Sequence, residues 1–482
     1  MKLLISIIPL VFINACSSLP EEPSNQLPIN HTEYSDEKTA IEKTEYKLGL
    51  ALSGGGLRSS LYSYGALKAL YDAGILQKVD IVSSVSGGGY TAYSLFTNEQ
   101  NSDFGSYQFS DTNIYKNTCE LIVEGNFVTT GQIVKAAISF SPSFEAVKLY
   151  QNALGRTFAG NKYPDDTFPI NGLLPEMKEG KLPFWVVNTT VKSPKASGWR
   201  DGLFEYTPLW LGNDAYGYQK WKGDNAIPLR KAIAISGAAF APLLKQDVYV
   251  ELPKLQSTTE QSDGGHSENL GAIALIKRGV KNIIIVDAEH DPDYKFGAYF
   301  NLKKRLAAFN ATFSIDEIER AVASNERLAT SVSIGKVTSS SITSNIYYIK
   351  MSMPKSIDKI INDEVSLKNG KMSYDEYFAT LKGSADKNGN WNCDSVEDKK
   401  FSLDDFYAYK IASYSEYLND KNYVRYINKL DRFQNITKKF FHSKFPQYST
   451  VDQSFYLDQS IAFMGLGYHS TKELASKISL TK

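Results

Sequence analysis

Histidine and cysteine are scarce in this 482-residue chain, five of the first and three of the second. Spread that thinly they form no zinc pattern, and no metal or other cofactor is expected from them. An excess of charge of either sign is also missing. Lys+Arg and Asp+Glu are each 53, so the net charge is zero. With no basic tract or stripe, the electrostatic footprint of a nucleic-acid surface is lacking and no such partner is expected. No internal period marks a repeat architecture. What is present is an ordinary globular composition, 42% hydrophobic and 22% charged. The length suits two or three domains, or one large α/β domain with insertions. Thirty Tyr and 25 Phe supply a large core, with aromatic contacts to a membrane as the lesser alternative.

The first segment, "MKLLISIIPLVFINACSS", stands apart from the fold. Lys2 gives a short positive start, and the apolar run Leu3 to Ile13 is too short to span a bilayer stably. Ala15 immediately before Cys16 resembles the lipobox of bacterial lipoproteins, where the cysteine becomes the first residue and carries the lipid. An ordinary signal peptide cut elsewhere is the alternative. Ser17 in place of an acidic residue favours, by the same analogy, the outer membrane of the cell envelope. Residues 1–15 are thus expected as a signal peptide. Residues 16–45, polar and Pro-containing, read as a tether. Cys119 and Cys393 remain; an exported compartment permits a bridge between them, though two cysteines so far apart in sequence read first as buried or free thiols.

From residue 46 the pattern alternates between strand and helix. Leu48 to Leu52 is an apolar strand that breaks on glycines. Leu61, Tyr64, Leu67, Leu70 and Tyr71 recur at helical spacing, with Gly74 closing the helix. "VDIVSSV" is a second strand and "GYTAYSLF" a second helix, a parallel α/β signature. Residues 98–180 read as an insertion. "LPFWVVNTTV", "GLFEYTP" and "DVYVELP" are strands, and "IPLRKAIAISGAAFAPLL" is a helix. "TTEQSDGGHSENLGAIALIKRGVKNIIIVDAE" reads as turn, helix, strand. Beyond 300 the pattern is mainly helical, at Leu302 to Phe309 and Ile315 to Leu328, with one strand in "SNIYYIKMSMP".

Three glycine-rich places carry chemistry. "SGGGLRS", Ser53 to Ser59, joins a strand to a helix, where backbone N–H groups and the helix N-terminus can hold a phosphate or an oxyanion. It lacks the spacing of a Walker A or dinucleotide loop. "SVSGG", Ser84 to Gly88, puts Ser86 between a strand and a helix with small residues after it, as a nucleophile elbow requires. Ser84 stands where that motif has its first glycine. "SDGGHSENLG", Ser262 to Gly271, presents Asp263 before two glycines, where a carboxylate can orient a hydroxyl and take its proton. Each alone reads equally well as a tight turn.

In this order, strand–GGG–x–R–helix, strand–Ser–helix and a distant DGG, the chain resembles the patatin-like phospholipases and the related cytosolic phospholipases. The likeness covers about residues 46 to 290, with "AISGAAFAP" and "FPQYSTVDQSF" as further local matches to bacterial members. It implies a three-layer α/β fold: a mainly parallel central sheet flanked by helices, with mostly helical insertions and C-terminal part, over residues 46–482. It implies a lipid acyl hydrolase with a Ser–Asp dyad: Ser86 as nucleophile, Asp263 as base, Gly54, Gly55 and Gly56 as oxyanion hole. Arg58 would attract the substrate phosphate, which a guanidinium fork suits. The implied partners are a phospholipid or other acyl-ester lipid, and a membrane reached through lipidated Cys16.

Other readings stay open. His266 and His290 leave room for a Ser–His–Asp triad. Asp287, Glu289, Asp291 and Asp293, or Asp386 to Glu397 with Trp391 where a calcium loop needs glycine, allow a metal or simply polar turns. A silent scaffold that kept the fold and an acyltransferase are the rival functions.

Overall fold

The structure is a computed structural model that describes residues 32–98, 104–109, 144–158, 167–192, 202–213, 217–223, 226–238, 248–252, 257–355, 446–450 and 457–478. Cys16, Cys119, Cys393, the signal segment and the 386–397 loop lie outside the described residues.

The strands that position the site lie at the centre of one sheet. They are β1 (Leu48–Leu52), β2 (Ile81–Val85), β3 (Phe184–Lys192), β9 (Asn282–Asp287) and β12 (Thr343–Lys350). They run parallel in the order β12-β9-β1-β2-β3. Every residue of β1 and β2 is buried, as expected of parallel strands covered on both faces. Antiparallel strands extend both sides: β10 (Thr312–Ser314) and β11 (Val332–Thr338) beyond β12, and β4 (Gly202–Tyr206), β5 (Trp210–Asn213) and β6 (Gly217–Lys220) beyond β3. β7 (Val248–Leu252) pairs with β8 (Ser257–Asp263), which pairs with β3. Mostly parallel central strands flanked by helices make this the patatin-like α/β architecture expected from the motif order.

Helix α1 (Thr32–Ala40) lies within the stretch expected as tether. It is not loose chain. Glu37 is fully buried and takes both Nε and Nη2 of Arg278 at 2.7 Å, and Arg278 also reaches Glu205 of β4 at 2.7 Å. The Tyr34 ring lies 4.4 Å from that guanidinium. A buried charge held by two carboxylates and an aromatic face fixes residues 32–40 to the sheet.

Helices α2 (Gly56–Asp72) and α3 (Gly87–Thr97) follow β1 and β2 directly. Helix α4 (Phe144–Phe158), α5 (Leu229–Ser236) and, near the C-terminus, α9 (Leu457–Lys472) pack with them. Elsewhere α6 (Ala272–Lys277), α7 (Gly297–Ala308) and α8 (Asp316–Ser324) follow in order. Gly65 of α2 and Gly467 of α9 face one another's backbones so closely that a Cβ on either has no room.

Two expectations are corrected. The polar stretch read as a turn, "STTEQSD", is strand β8. Gln261 and Ser262 are buried there, with Gln261 Oε1 accepting from the Thr189 and Tyr206 hydroxyls at 2.9 and 2.8 Å. Hydrogen bonding rather than apolar alternation holds it, so hydrophobic periodicity does not see it. Beyond 300, β10 and β11 accompany the one strand expected. β11 pairs antiparallel with β12 from Val332↔Ile349 to Thr338↔Thr343.

Candidate active site

One edge of β3 is shared by two strands that meet end to end. β2 runs parallel along it and ends with Val85 opposite Asn188. β8 comes from the other direction and ends with Asp263 opposite Thr189, the next residue. β4 occupies the opposite edge over Val187 to Val191. This register brings the residue after β2, Ser86, to the last residue of β8, Asp263.

Ser86 has φ 47 and ψ −121, a conformation rarely adopted by side-chain-bearing residues and costing about 1–3 kcal/mol. Its environment holds it there. The Ser86 N–H donates to Ser236 Oγ at 2.9 Å, and the Ser236 hydroxyl donates to Asn188 O at 2.7 Å. Ser236, the last residue of α5, thereby links the turn to β3. Small neighbours are obligatory: a Cβ on Gly88 would meet Leu52 O at 2.5 Å, and one on Gly87 would meet Gly56 N at 2.8 Å. Ser84, the departure from the elbow pattern, accepts the Trp185 indole N–H at 3.0 Å. Its hydroxyl satisfies a buried donor that glycine could not.

Asp263 is 5% exposed. Burial raises its carboxyl above the usual range, opposed by the nearby His266, the Gly265 N–H and a hydrogen bond from Ser86. The Gly265 bond is 2.7 Å long. Among the described residues no Lys or Arg pairs with it. His266 hydrogen-bonds through Nδ1 to the Ser262 hydroxyl at 2.9 Å. His290 lies beyond β9, its pKa lowered to about 4 by burial and then by the Arg58 charge. Strand register sets Ser86 beside Asp263, while the hydrogen bond of His266 goes to Ser262.

The glycine loop lies beside Ser86: a Cβ on Gly54 would stand 3.3 Å from Ser86 Cβ. Of its three amides, that of Gly54 donates to Asn269 O at 2.9 Å. Gly55 and Gly56, with φ 143 and 62, open α2, where first-turn N–H groups have no acceptor within the helix. Arg58 departs from expectation. It is 1% exposed, its Nε and Nη2 donate to Ala288 O at 3.2 and 3.0 Å, and Nη1 donates to Tyr448 O. Nη2 also reaches the Thr450 hydroxyl at 3.2 Å. Burial lowers its pKa to about 10. Its donors tie the glycine loop to the chain after β9 and to residues 446–450, so a phosphate has no claim on them in this arrangement.

Three of the four carboxylates of 287–293 considered as metal ligands converge instead on an ammonium, and Asp293 pairs with Lys295 at 3.0 Å. Lys350 Nζ lies 2.8 Å from Asp287, 3.2 Å from Asp291 and 3.5 Å from Glu289. Sequence reasoning also missed Ser236 and Tyr90. Tyr90 is buried one helical turn past Ser86 and hydrogen-bonds to Tyr150. Both lay inside quoted motifs, yet nothing local says which way they face.

Residues 50–276 match the family described as Patatin-like phospholipase. This region is a patatin-like phospholipase domain. Patatin-like domains form a family of lipid acyl hydrolases. The fold of this one resembles human GIVD cytosolic phospholipase A2, with TM-score 0.53, 10% identity, and 92% of this chain aligned to 62% of that one. The chain therefore spans under two thirds of that protein. The same human enzyme in complex with methyl gamma-linolenyl fluorophosphonate aligns at TM-score 0.49 and 12% identity, over 96% of this chain and 65% of that one. VipD from Legionella pneumophila aligns at TM-score 0.27 and 14% identity, covering 90% and 86%. Comparison with curated proteins by sequence finds no match.

Proposed function

We propose that this patatin-like domain is a serine esterase of the phospholipase A or lysophospholipase type, acting through a Ser–Asp dyad. Ser86 Oγ attacks the ester carbonyl carbon and its proton passes to Asp263. The Gly55 and Gly56 N–H groups face the developing oxyanion. The intermediate expels the alcohol, which takes the proton from Asp263, and water then releases the acyl group by the same steps in reverse order. The substrate class is a glycerophospholipid, lysophospholipid or neutral acyl ester. A lipid on Cys16 keeps the enzyme at the outer membrane beside it. The observation that supports this reading is a strained serine, φ 47, set by strand register beside a buried carboxylate that no Lys or Arg pairs with among the described residues.

The test is hydrolysis of mixed phospholipids by the purified chain, with products identified by mass. Ser86→Ala and Asp263→Asn should each abolish release of fatty acid while the fold melts as before. A fluorophosphonate should label Ser86 in the parent protein. Full activity in either variant, or no labelling, rejects the dyad and favours a silent scaffold. The anchor is tested separately by fatty-acid labelling of cells, which Cys16→Ser should abolish.

A further inference from the structure

Gly54 and Gly265, two glycines of the site motifs, are not required by backbone conformation, since neither has a positive φ. What both avoid is the same atom. A Cβ on Gly54 would stand 2.3 Å from Asn269 Oδ1, and one on Gly265 would stand 2.7 Å from it. Real Cβ contacts do not come so close. The next neighbours of the two positions belong to the dyad: Ser86 Cβ lies 3.3 Å from the first and Asp263 Oδ1 3.1 Å from the second. The Asn269 carboxamide therefore occupies space that two absent side chains leave between the glycine loop and the Asp263 loop. The dyad mechanism by itself gives this residue no task.

The backbone of Asn269 is pinned on both sides. Glu268, 1% exposed, accepts the Leu270 and Ile273 N–H groups at 2.6 and 3.2 Å, which fixes this turn to the start of α6. Asn269 O accepts the Gly54 N–H at 2.9 Å. That bond engages one of the three amides expected for the oxyanion. The carboxamide of the same residue is half-buried and has no hydrogen bond among the described residues. A half-turn about χ2 exchanges its oxygen and its NH2 within the same space, so the site can present either one. Being neutral, it also leaves the Asp263 carboxylate free of the cation that would weaken it as a base.

We infer that Asn269 is a further catalytic residue of the proposed esterase, its Nδ2–H donating to the oxyanion beside the Gly55 and Gly56 amides in place of the engaged Gly54 amide. This inference rests on Ser86 being the nucleophile. As Oγ bonds to the carbonyl carbon, the π pair of C=O moves onto the oxygen and the serine proton passes to Asp263. The carboxamide transfers no proton. It meets the negative charge while the tetrahedral species lasts, and the pair returns to C=O as the alcohol leaves with the proton from Asp263. A dipole fixed beforehand stabilises that charge without having to reorganise.

The experiment uses p-nitrophenyl butyrate and a fluorophosphonate on the full chain, its Asn269→Ala variant and its Asn269→Leu variant. Asn269→Ala should lower kcat on the order of 10²- to 10³-fold, the loss of one oxyanion donor. KM should stay within about threefold, because the interaction is made only in the transition state. Labelling of Ser86 should slow in parallel, since the phosphonyl oxygen takes the place of the oxyanion. Asn269→Leu fills the same space without a donor, so its kcat should fall as far with the melting temperature kept. It is the variant to read where alanine leaves the protein unfolded. Two results overturn the inference while sparing the esterase reading. One is a folded, labelled Asn269→Ala protein with parental kcat. The other is parental kcat in Asn269→Leu, which makes the carboxamide a filler of space. If even the parent is neither labelled nor active, the esterase reading itself falls.

Discussion

Asp263 and Asp287 are both buried carboxylates at the ends of strands, and they are treated in opposite ways. Asp287, closing β9, is enclosed by Lys350 Nζ at 2.8 Å, the Tyr348 hydroxyl at 2.5 Å and the Glu289 N–H at 2.8 Å. Asp263, closing β8, accepts the Gly265 N–H at 2.7 Å and has His266 nearby, but no Lys or Arg pairs with it among the described residues. A cation beside a carboxylate makes it a good anchor and a poor base. A carboxylate buried with too little compensation keeps its appetite for a proton. The first arrangement holds a fold together. The second has a use only if a proton arrives.

The comparison breaks most sharply by exchanging charge for amide at each site. Asp263→Asn should lower kcat on the order of 10⁴-fold, as loss of a catalytic carboxylate can, with the melting temperature unchanged or raised. Asp287→Asn should do the reverse, lowering the melting temperature while the folded fraction keeps its activity within about tenfold. A thermally weakened Asp263→Asn protein with intact turnover sinks the distinction.

Lys350→Met, which leaves Asp287, Glu289 and Asp291 buried together, should cost about 3 kcal/mol, as does a buried pair with one partner removed. Denaturant midpoints at two pH values check it. Burial already holds Glu289 at about 7, with Lys350 opposing the rise and Asp287 adding to it. Its loss of stability in the variant should therefore be larger at pH 8 than at pH 5, where the cluster takes up protons.

The pH dependence of the two functions of charge differs in sign. The Asp263 carboxyl is raised in the fold by burial, so its ionised form is less favoured there than in the unfolded chain. Its contribution to stability is fully present below the unfolded pKa of about 3.9 and is lost as pH rises through the folded value. Activity needs the ionised form, so kcat/KM should rise across that same interval, with a limb above the ordinary aspartate range. A limb at the ordinary value means that burial does not tune this base.

Smallest in effect is Ser84→Ala, which leaves the Trp185 indole N–H without the acceptor it has at 3.0 Å. The expected cost is about 1–2 kcal/mol, read as a shift in unfolding midpoint, with kcat nearly unchanged. A large fall in kcat would move Ser84 from supporting the turn into the reacting site.

Much of this was legible locally. Leu48 to Leu52 and the small residues around Ser86 declare a strand ending in a strained turn, because apolar runs and glycines constrain their own backbone. β8 was illegible, since its Gln261 is satisfied by Thr189 and Tyr206 hydroxyls far away in sequence. Arg58 shows the converse failure. Its motif position suggested a ligand, whereas its partners Ala288 and Tyr448 come from distant segments.

By itself, then, the sequence determined the patatin-like α/β architecture, the turn at Ser86 and the presence of an acid before two glycines. These depend on periodicity and on the conformational needs of neighbouring residues. Only the tertiary structure decided that β2 and β8 meet on one edge of β3, that Arg58 is consumed internally, and that Tyr90 meets Tyr150. Those outcomes depend on register and packing between segments far apart in the chain, where hydrogen-bond partners are assigned by space and not by spacing.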